Sequence, residues 1–277
     1  MTFSDALWVF IILSMLQPVL ARKFLDLRRM QMIDRFQKRR GSRVILMVHR
    51  QETMRLLGFP LMRYIDIQDS EDVLRAIRMT DRDAPLDIVL HTPGGLVLAA
   101  LQIARAVEAH RGKVTVFVPH HAMSGGTLVA LAADEIVMCD HSVLGPIDPQ
   151  IGQFPAASIL KVVADKPVAE IDDETLILAD VGRKAIDQVR QAATTILSAR
   201  MPADKAAAIA ATLSSGTWTH DYPISAQEAR DIGLNVSTDM PAEVMEMMML
   251  YPQPVRQSGG VEFLPGPHQP SPRRARR

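Results

Sequence analysis

VTVFVPHHAMSGGTLVALAA, residues 114–133, decides the fold. Val114–Val118 is a β-branched apolar run, which reads as a buried strand. Ala122, Gly125 and Gly126 are small enough for a tight bend, and Thr127–Ala133 reads as a buried helix. Ser124 falls at the bend. A serine at a strand-to-helix turn has its hydroxyl held clear of the backbone, facing the first helical N–H groups, which lack intrahelical partners. This is the arrangement of a nucleophile elbow, although Ala122-Met123-Ser124-Gly125-Gly126 departs from the G-x-S-x-G form. A plain Ser-Gly-Gly turn is the competing reading of the stretch taken alone.

A second unit of the same kind precedes it. Asp87–His91 reads as a strand, Thr92-Pro93-Gly94-Gly95 as a turn and Leu96–Ala109 as an amphipathic helix. Successive strand–turn–helix units predict right-handed βαβ crossovers. Such crossovers bring both turns to the carboxyl edge of a parallel sheet, where sites form. An N–H from Gly94 or Gly95 and that of Gly125 are then placed to converge on one oxyanion. A phosphate loop fails on detail, since neither turn carries G-x-G-x-x-G or a Walker lysine.

HTPGG, then AMSGGT, then LGPIDPQ resemble the Clp protease/crotonase superfamily. Within it the chain is most similar to the serine dehydrogenase proteinase family, relatives of signal peptide peptidase A, over about Ser42 to Pro252. The resemblance implies an α/β fold of Clp/crotonase-like ββα superhelix type. It also implies a serine endopeptidase with Ser124 as nucleophile, the Pro93-Gly94-Gly95 turn plus Gly125 as oxyanion hole, and a Ser, Asp, His order of triad residues. No cofactor or metal is expected, and no H-x-x-x-H or C-x-x-C spacing suggests one. Relatives assemble into rings, so a homo-oligomer acting on peptide or protein substrates is expected.

A serine hydroxyl needs a base at neutral pH. His220 is the first candidate. It ends a predicted brief strand at Gly216–His220, directly after Thr217–Thr219 and before Asp221-Tyr222-Pro223, and His141 is the other histidine between Ser124 and the tail. Asp148, in LGPIDPQ, is chosen as the orienting acid because it lies close to where the Clp subunits place their own catalytic histidine; Asp180 and Asp221 are rivals. The Ser-Lys dyad of signal peptide peptidase A offers another base, with Lys184 the leading candidate and Lys161 and Lys166 behind it. His120 and His121 are poorly directed towards the serine, and His91 is expected at the site edge, where it would meet substrate.

The 277 residues suffice for one sizeable core. Thirty-one basic against 31 acidic residues argue against a nucleic-acid partner. Cys139, the single cysteine, permits no internal disulfide and reads as a buried structural thiol. Ala6–Ala21 is apolar apart from Ser14 and Gln17, short for a span of roughly 20 residues, but extendable at both ends. Nine Lys or Arg between Arg22 and Arg43 face only Asp26 and Asp34. The positive-inside rule then predicts a single-pass anchor in the inner membrane with the rest cytoplasmic. A cleaved signal peptide lacks its basic leading residues here, and a buried amino-terminal helix is the bland alternative.

The expected organisation is an anchor over 1–22, a basic amphipathic juxtamembrane helix over 23–41 lying against anionic lipid, a catalytic domain over 42–252 and a disordered Pro-rich basic tail over 253–277. Within the domain, strands are expected at Ser42–Val48 and Tyr64–Ile67, and a helix capped by Asp69 or Ser70. Ser225-Ala226-Gln227-Glu228 reads as a capping box. A crotonase-type acyl-CoA enzyme is the alternative function, with the serine at the bend counting against it; a catalytically idle membrane scaffold is a third.

Overall fold

The computed structural model describes residues 3–49 and 63–251, with side chains from Leu16 onward except Pro18. A long helix, α1 (Phe3–Arg40), leads into β1 (Arg43–Val48), α2 (Ile67–Arg78), β2 (Leu86–His91), α3 (Val97–Glu108) and β3 (Val114–Val118). Next come β4 (His121–Ala122), α4 (Gly125–Leu131), β5 (Glu135–Met138), β6 (Val143–Leu144) and a hairpin of β7 (Gln150–Ile151) and β8 (Phe154–Pro155). The chain continues through α5 (Ala156–Asp165), α6 (Asp173–Ser198), α7 (Ala203–Ser214), β9 (Ile224–Ser225), α8 (Ala226–Asp231), β10 (Val236–Ser237) and α9 (Ala242–Met249).

Five strands pair in the order β1-β2-β3-β5-β10, each neighbour parallel. Both faces of this sheet are covered, so its strands are apolar at nearly every position. Side chains alternate between the faces. Ile45, Ile88, Leu90, Val116 and Ile136 enter the main core with α3, α4, α6 and α7. Val44, Val89, Phe117 and Val137 pack on the other face against Phe36 of α1 and Val244, Met247 and Met248 of α9. The methionine-rich stretch is therefore largely core, with Met249 exposed. Cys139 is half-buried, its Sγ 3.5 Å from the sulfur of Met245, and burial, with the charge of Asp140, raises its thiol pKa.

The amino-terminal helix runs unbroken past Arg22 to Arg40, about 57 Å at 1.5 Å per residue. Gly41, at φ +63°, ends it, as expected from the sequence. Arg40 then grips Asp87, 1 % exposed on β2, through two hydrogen bonds of 2.7 and 3.0 Å, joined by Ser42 Oγ at 2.6 Å. Arg29 donates to the Leu250 carbonyl and lies over the Tyr251 ring. The carboxyl half of α1 is thus docked, whereas Phe24, Leu27 and Met30 are exposed. Among the described residues no helix is long and apolar enough to cross a membrane. The side chains of residues 6–15 and of Pro18 in the predicted span, and the tail over 253–277, lie outside the described residues.

Two predicted strands are replaced. Tyr64–Ile67 contributes only a single bridge, Ile65 to Gly95, because Asp66 turns the chain into α2. Asp66, rather than Asp69 or Ser70, is the N-cap, and Asp69 closes a reciprocal capping box with it. Gly216–His220 forms no strand: Gly216 has φ +71°, and Tyr222 N–H bonds back to the Thr219 carbonyl, closing a turn around His220. The strand comes later, at β9, followed by the predicted capping box of Ser225 and Glu228.

Candidate active site

A second, smaller sheet assembles the site. It has the order β4-β6-β9, with β4 parallel and β9 antiparallel to β6. Residues after Ala122, residues after Leu144 and residues before Ile224 therefore share one end. Ser124 is two positions past Ala122. Asp148 is four past Leu144 and His220 four before Ile224, and Leu144 and Ile224 are register partners. Three residues far apart in sequence are delivered to the same edge by strands of two residues each.

Ser124 caps α4 with φ 49° and ψ −114°, and it is the one non-glycine residue with positive φ among the described residues. That conformation lies away from the left-handed helical basin and costs on the order of 1–3 kcal/mol. The surroundings enforce it. Gly126 N–H bonds the Met123 carbonyl at 2.7 Å, and Thr127 Oγ1 donates to the carbonyls of Ala122 and Gly145. The serine hydroxyl makes no side-chain hydrogen bond with the described residues, and no side-chain cap.

The Pro93-Gly94-Gly95 turn lies directly against this bend. A Cβ on Gly94, at φ +104°, would fall 2.8 Å from Ser124 Cβ and 3.3 Å from Gly125 N. A Cβ on Gly125 would fall 3.5 Å from Gly95 N. The two turns thus bring the N–H groups of Gly95 and Gly125 close to one another. Neither N–H takes part in the backbone hydrogen bonds of these turns, whereas Gly94 N–H is held by Thr92 Oγ1 at 3.2 Å.

His220 Nδ1 lies 2.9 Å from Asp148 Oδ1. Asp148 is 3 % exposed, and its other oxygen accepts from Gln150 Nε2 at 2.7 Å. The hydrogen bond to Asp148 is the largest influence on the imidazole and raises its pKa above 6.5. Partial burial opposes this, and the charges of Asp148 and Asp221 add to the rise. With Nδ1–H donated to the carboxylate, Nε2 is left with a lone pair. Trp218 and Tyr222 stack at 5.3 Å, one on each side of His220 in sequence, and Tyr222 is tied to Glu228 at 2.6 Å. These contacts brace the turn that carries the imidazole.

The rival bases are solvent-facing. Lys184 pairs with Asp180 on an exposed stretch of α6, and Lys161 pairs with Asp165 on α5. Lys166 and Asp221 are exposed. His91 ends β2 next to Thr92, but at 2 % exposed, with its ring 4.2 Å from that of His121 and 5.5 Å from that of His120, it is closed off from the substrate contact expected of it. Sequence reasoning missed His49, which follows β1 and reaches Thr92 Oγ1 at 2.8 Å through Nδ1. Its position at a strand end, matching that of His91, was the available signal.

The family model described as ClpP-like SDH-type serine proteinase matches residues 1–276. Two uncharacterised proteins of Methanocaldococcus jannaschii are 50 % and 46 % identical to the chain. They align over 94 % and 97 % of it, and over 91 % and 92 % of their own lengths. Among solved structures, a variant of a membrane-bound stomatin-specific protease aligns at TM-score 0.45 with 19 % identity, over 66 % of this chain and 79 % of that one. ClpP1 from Listeria monocytogenes aligns at TM-score 0.43 with 14 % identity, over 80 % and 97 %.

Proposed function

The chain belongs to the ClpP-like SDH-type serine proteinase family, and we propose that it is an endopeptidase working through a Ser124–His220–Asp148 triad. The observation that carries this reading is the His220–Asp148 hydrogen bond at the sheet edge where the backbone also holds Ser124 at positive φ. His220 Nε2 takes the Ser124 proton as Oγ attacks the peptide carbonyl carbon. The resulting oxyanion is held by the N–H groups of Gly95 and Gly125, with Gly94 shaping the turn. Collapse passes the proton from His220 to the leaving amine and leaves an acyl-enzyme. Water, deprotonated by the same imidazole, then releases the acid and restores Ser124. Asp148 fixes the tautomer and stabilises the imidazolium at each stage.

The apolar run Ala6–Ala21 and the basic residues after it favour attachment to the inner membrane with the catalytic domain on the cytoplasmic side. Continuity of α1 into the domain fits a stiff connection to that anchor. Exposed Phe154, Val168 and Ile177 are candidates for contact between copies in a homo-oligomer. A fluorophosphonate probe tests the activity. Covalent labelling mapped to Ser124, and lost in Ser124→Ala, is expected. Absence of labelling in a folded wild-type protein would leave the crotonase-type and scaffold readings.

A further inference from the structure

Behind the oxyanion turn lies a second polar chain that the triad does not use. Asp69 Oδ2 stands 3.2 Å from His49 Nε2, and His49 Nδ1 stands 2.8 Å from Thr92 Oγ1. Thr92 Oγ1 in turn accepts the Gly94 N–H at 3.2 Å. His49 and Thr92 are buried, 5 % and 0 % exposed. Asp69 titrates below its ordinary value: burial pushes its pKa up, but the hydrogen bonds from His49 and the Asp66 N–H outweigh that.

Asp69, His49, Thr92 and Gly94 form one continuous hydrogen-bonded chain. An ionised Asp69 only accepts, so His49 Nε2 carries a proton, and in the tautomer with that single proton Nδ1 accepts. Thr92 then donates its single proton to Nδ1, because the alternative acceptor, the Gly94 carbonyl, lies at 3.3 Å. That leaves the Thr92 lone pairs for Gly94 N–H. Every polar atom in the chain is satisfied in this arrangement, and in either direction of the His49–Thr92 bond the Thr92 hydroxyl still accepts from Gly94 N–H.

Thr92 is also tied into the strand that delivers the serine. Its N–H bonds the His121 carbonyl at 3.1 Å, and its carbonyl accepts from Met123 N–H at 3.0 Å. The Thr92 methyl faces Gly126, where a Cβ would fall 2.5 Å from it. One residue therefore contacts both turns, through its backbone on the serine side and through its hydroxyl on the glycine side.

The geometry points to His49 as a positioning residue for the oxyanion hole: with Asp69 behind it, it locks the Thr92 hydroxyl so that Gly94, and through it the Gly95 N–H, is aimed at the space beside Gly125. The inference rests on the reading of Gly95 and Gly125 as oxyanion donors. It adds the residue that follows β1 and one on α2 to an oxyanion hole otherwise built from the turns after β2 and β4. His49 touches no reacting atom; its effect is on where a donor points. A donor displaced by about 1 Å costs on the order of 10²-fold in rate.

The test uses the full chain and a rhodamine-linked fluorophosphonate, separating the saturating labelling rate from the probe's apparent affinity. An asparagine amide overlays imidazole Nδ1 and still accepts from Thr92, whereas a glutamine amide overlays Nε2 and does not. His49→Gln is expected to lower the saturating rate by about 10- to 10²-fold with affinity nearly unchanged, and His49→Asn to recover most of it. Thr92→Ser should label almost like wild type and Thr92→Ala like His49→Gln. Where His49→Gln does not fold, judged by cooperative thermal unfolding, the two Thr92 variants carry the same decision. Wild-type labelling rates in His49→Gln and Thr92→Ala, with Ser124→Ala unlabelled, would overturn the positioning role and leave the triad standing. Labelling of Ser124→Ala at the wild-type rate would overturn both.

Discussion

Asp148→Asn perturbs the triad without changing its shape. In the native site both carboxylate oxygens accept, one from His220 Nδ1 at 2.9 Å and one from Gln150 Nε2 at 2.7 Å. An asparagine has one accepting oxygen and one donating nitrogen, so it cannot satisfy both neighbours as they stand. If its oxygen faces His220, two NH₂ groups meet at the Gln150 side until Gln150 turns its amide over. If its nitrogen faces His220, the imidazole proton moves to Nε2 and the base cannot receive the Ser124 proton. The wrong tautomer costs about 10⁴-fold in kcat in serine triads, and the Gln150 flip offsets part of that, so a loss of about 10²- to 10⁴-fold is expected. The acid limb of kcat/KM reports the base. The base must be neutral to work, so activity falls as pH drops through its pKa. Asp148 holds that pKa above 6.5, chiefly by its hydrogen bond, against partial burial. Removing the carboxylate should therefore move the limb to lower pH. Gln150→Glu in the Asp148→Asn background supplies an acceptor for the asparagine nitrogen and turns its oxygen back to His220. A charge-assisted hydrogen bond of about 1.5–3 kcal/mol predicts recovery of about 10- to 10²-fold. The assay is kcat/KM against pH with one fluorogenic peptide. An Asp148→Asn enzyme with the wild-type limb and a rate within a few-fold of wild type would refute the reasoning.

Gly94→Ala places a Cβ 2.8 Å from Ser124 Cβ and 2.9 Å from the Met123 carbonyl at φ +104°; kcat should fall by about 10²-fold, and urea unfolding should show a loss of about 1–3 kcal/mol. Gly95 is the poorer test, because a Cβ there would fall 2.3 Å from the Ile65 carbonyl oxygen and disturb the backbone pairing itself. Lys184→Ala removes only an exposed pair with Asp180, so activity should be unchanged and stability altered by less than about 1 kcal/mol; loss of turnover would revive the dyad. Arg40→Leu leaves the buried Asp87 carboxylate with Ser42 as its remaining side-chain donor, and urea unfolding should report a loss of about 3 kcal/mol with an intact site.

Much of the main sheet is legible because its strands are long, apolar and followed by glycine turns. Asp87–His91 and Val114–Val118 are matched within a residue by β2 and β3, and the Ser225–Glu228 capping box is local chemistry. The small sheet is different. Strands such as Val143–Leu144 and Ile224–Ser225 are too short to show a period, and the predicted strand at Gly216–His220 fell on the turn beside the real one. Sequence reasoning could nominate Asp148 by resemblance, but the pairing that sets it opposite His220 depends on register between segments about 80 residues apart. His49 escaped for a related reason: its partners Asp69 and Thr92 come from other elements, and Asp69 reads locally as a helix cap. The continuity of α1 through Arg22 was hidden by the change from apolar to basic composition, which alters the surroundings of a helix without ending it.

The central claim, that Ser124 and His220 act as one unit, is tested most directly by kcat/KM for Ser124→Ala, His220→Ala and the double variant on a single peptide substrate. Members of a unit are not additive, so each single variant should lose about as much as the double. A His220→Ala enzyme that keeps most of its activity, or a double variant whose loss is the product of the two single losses, would contradict the triad.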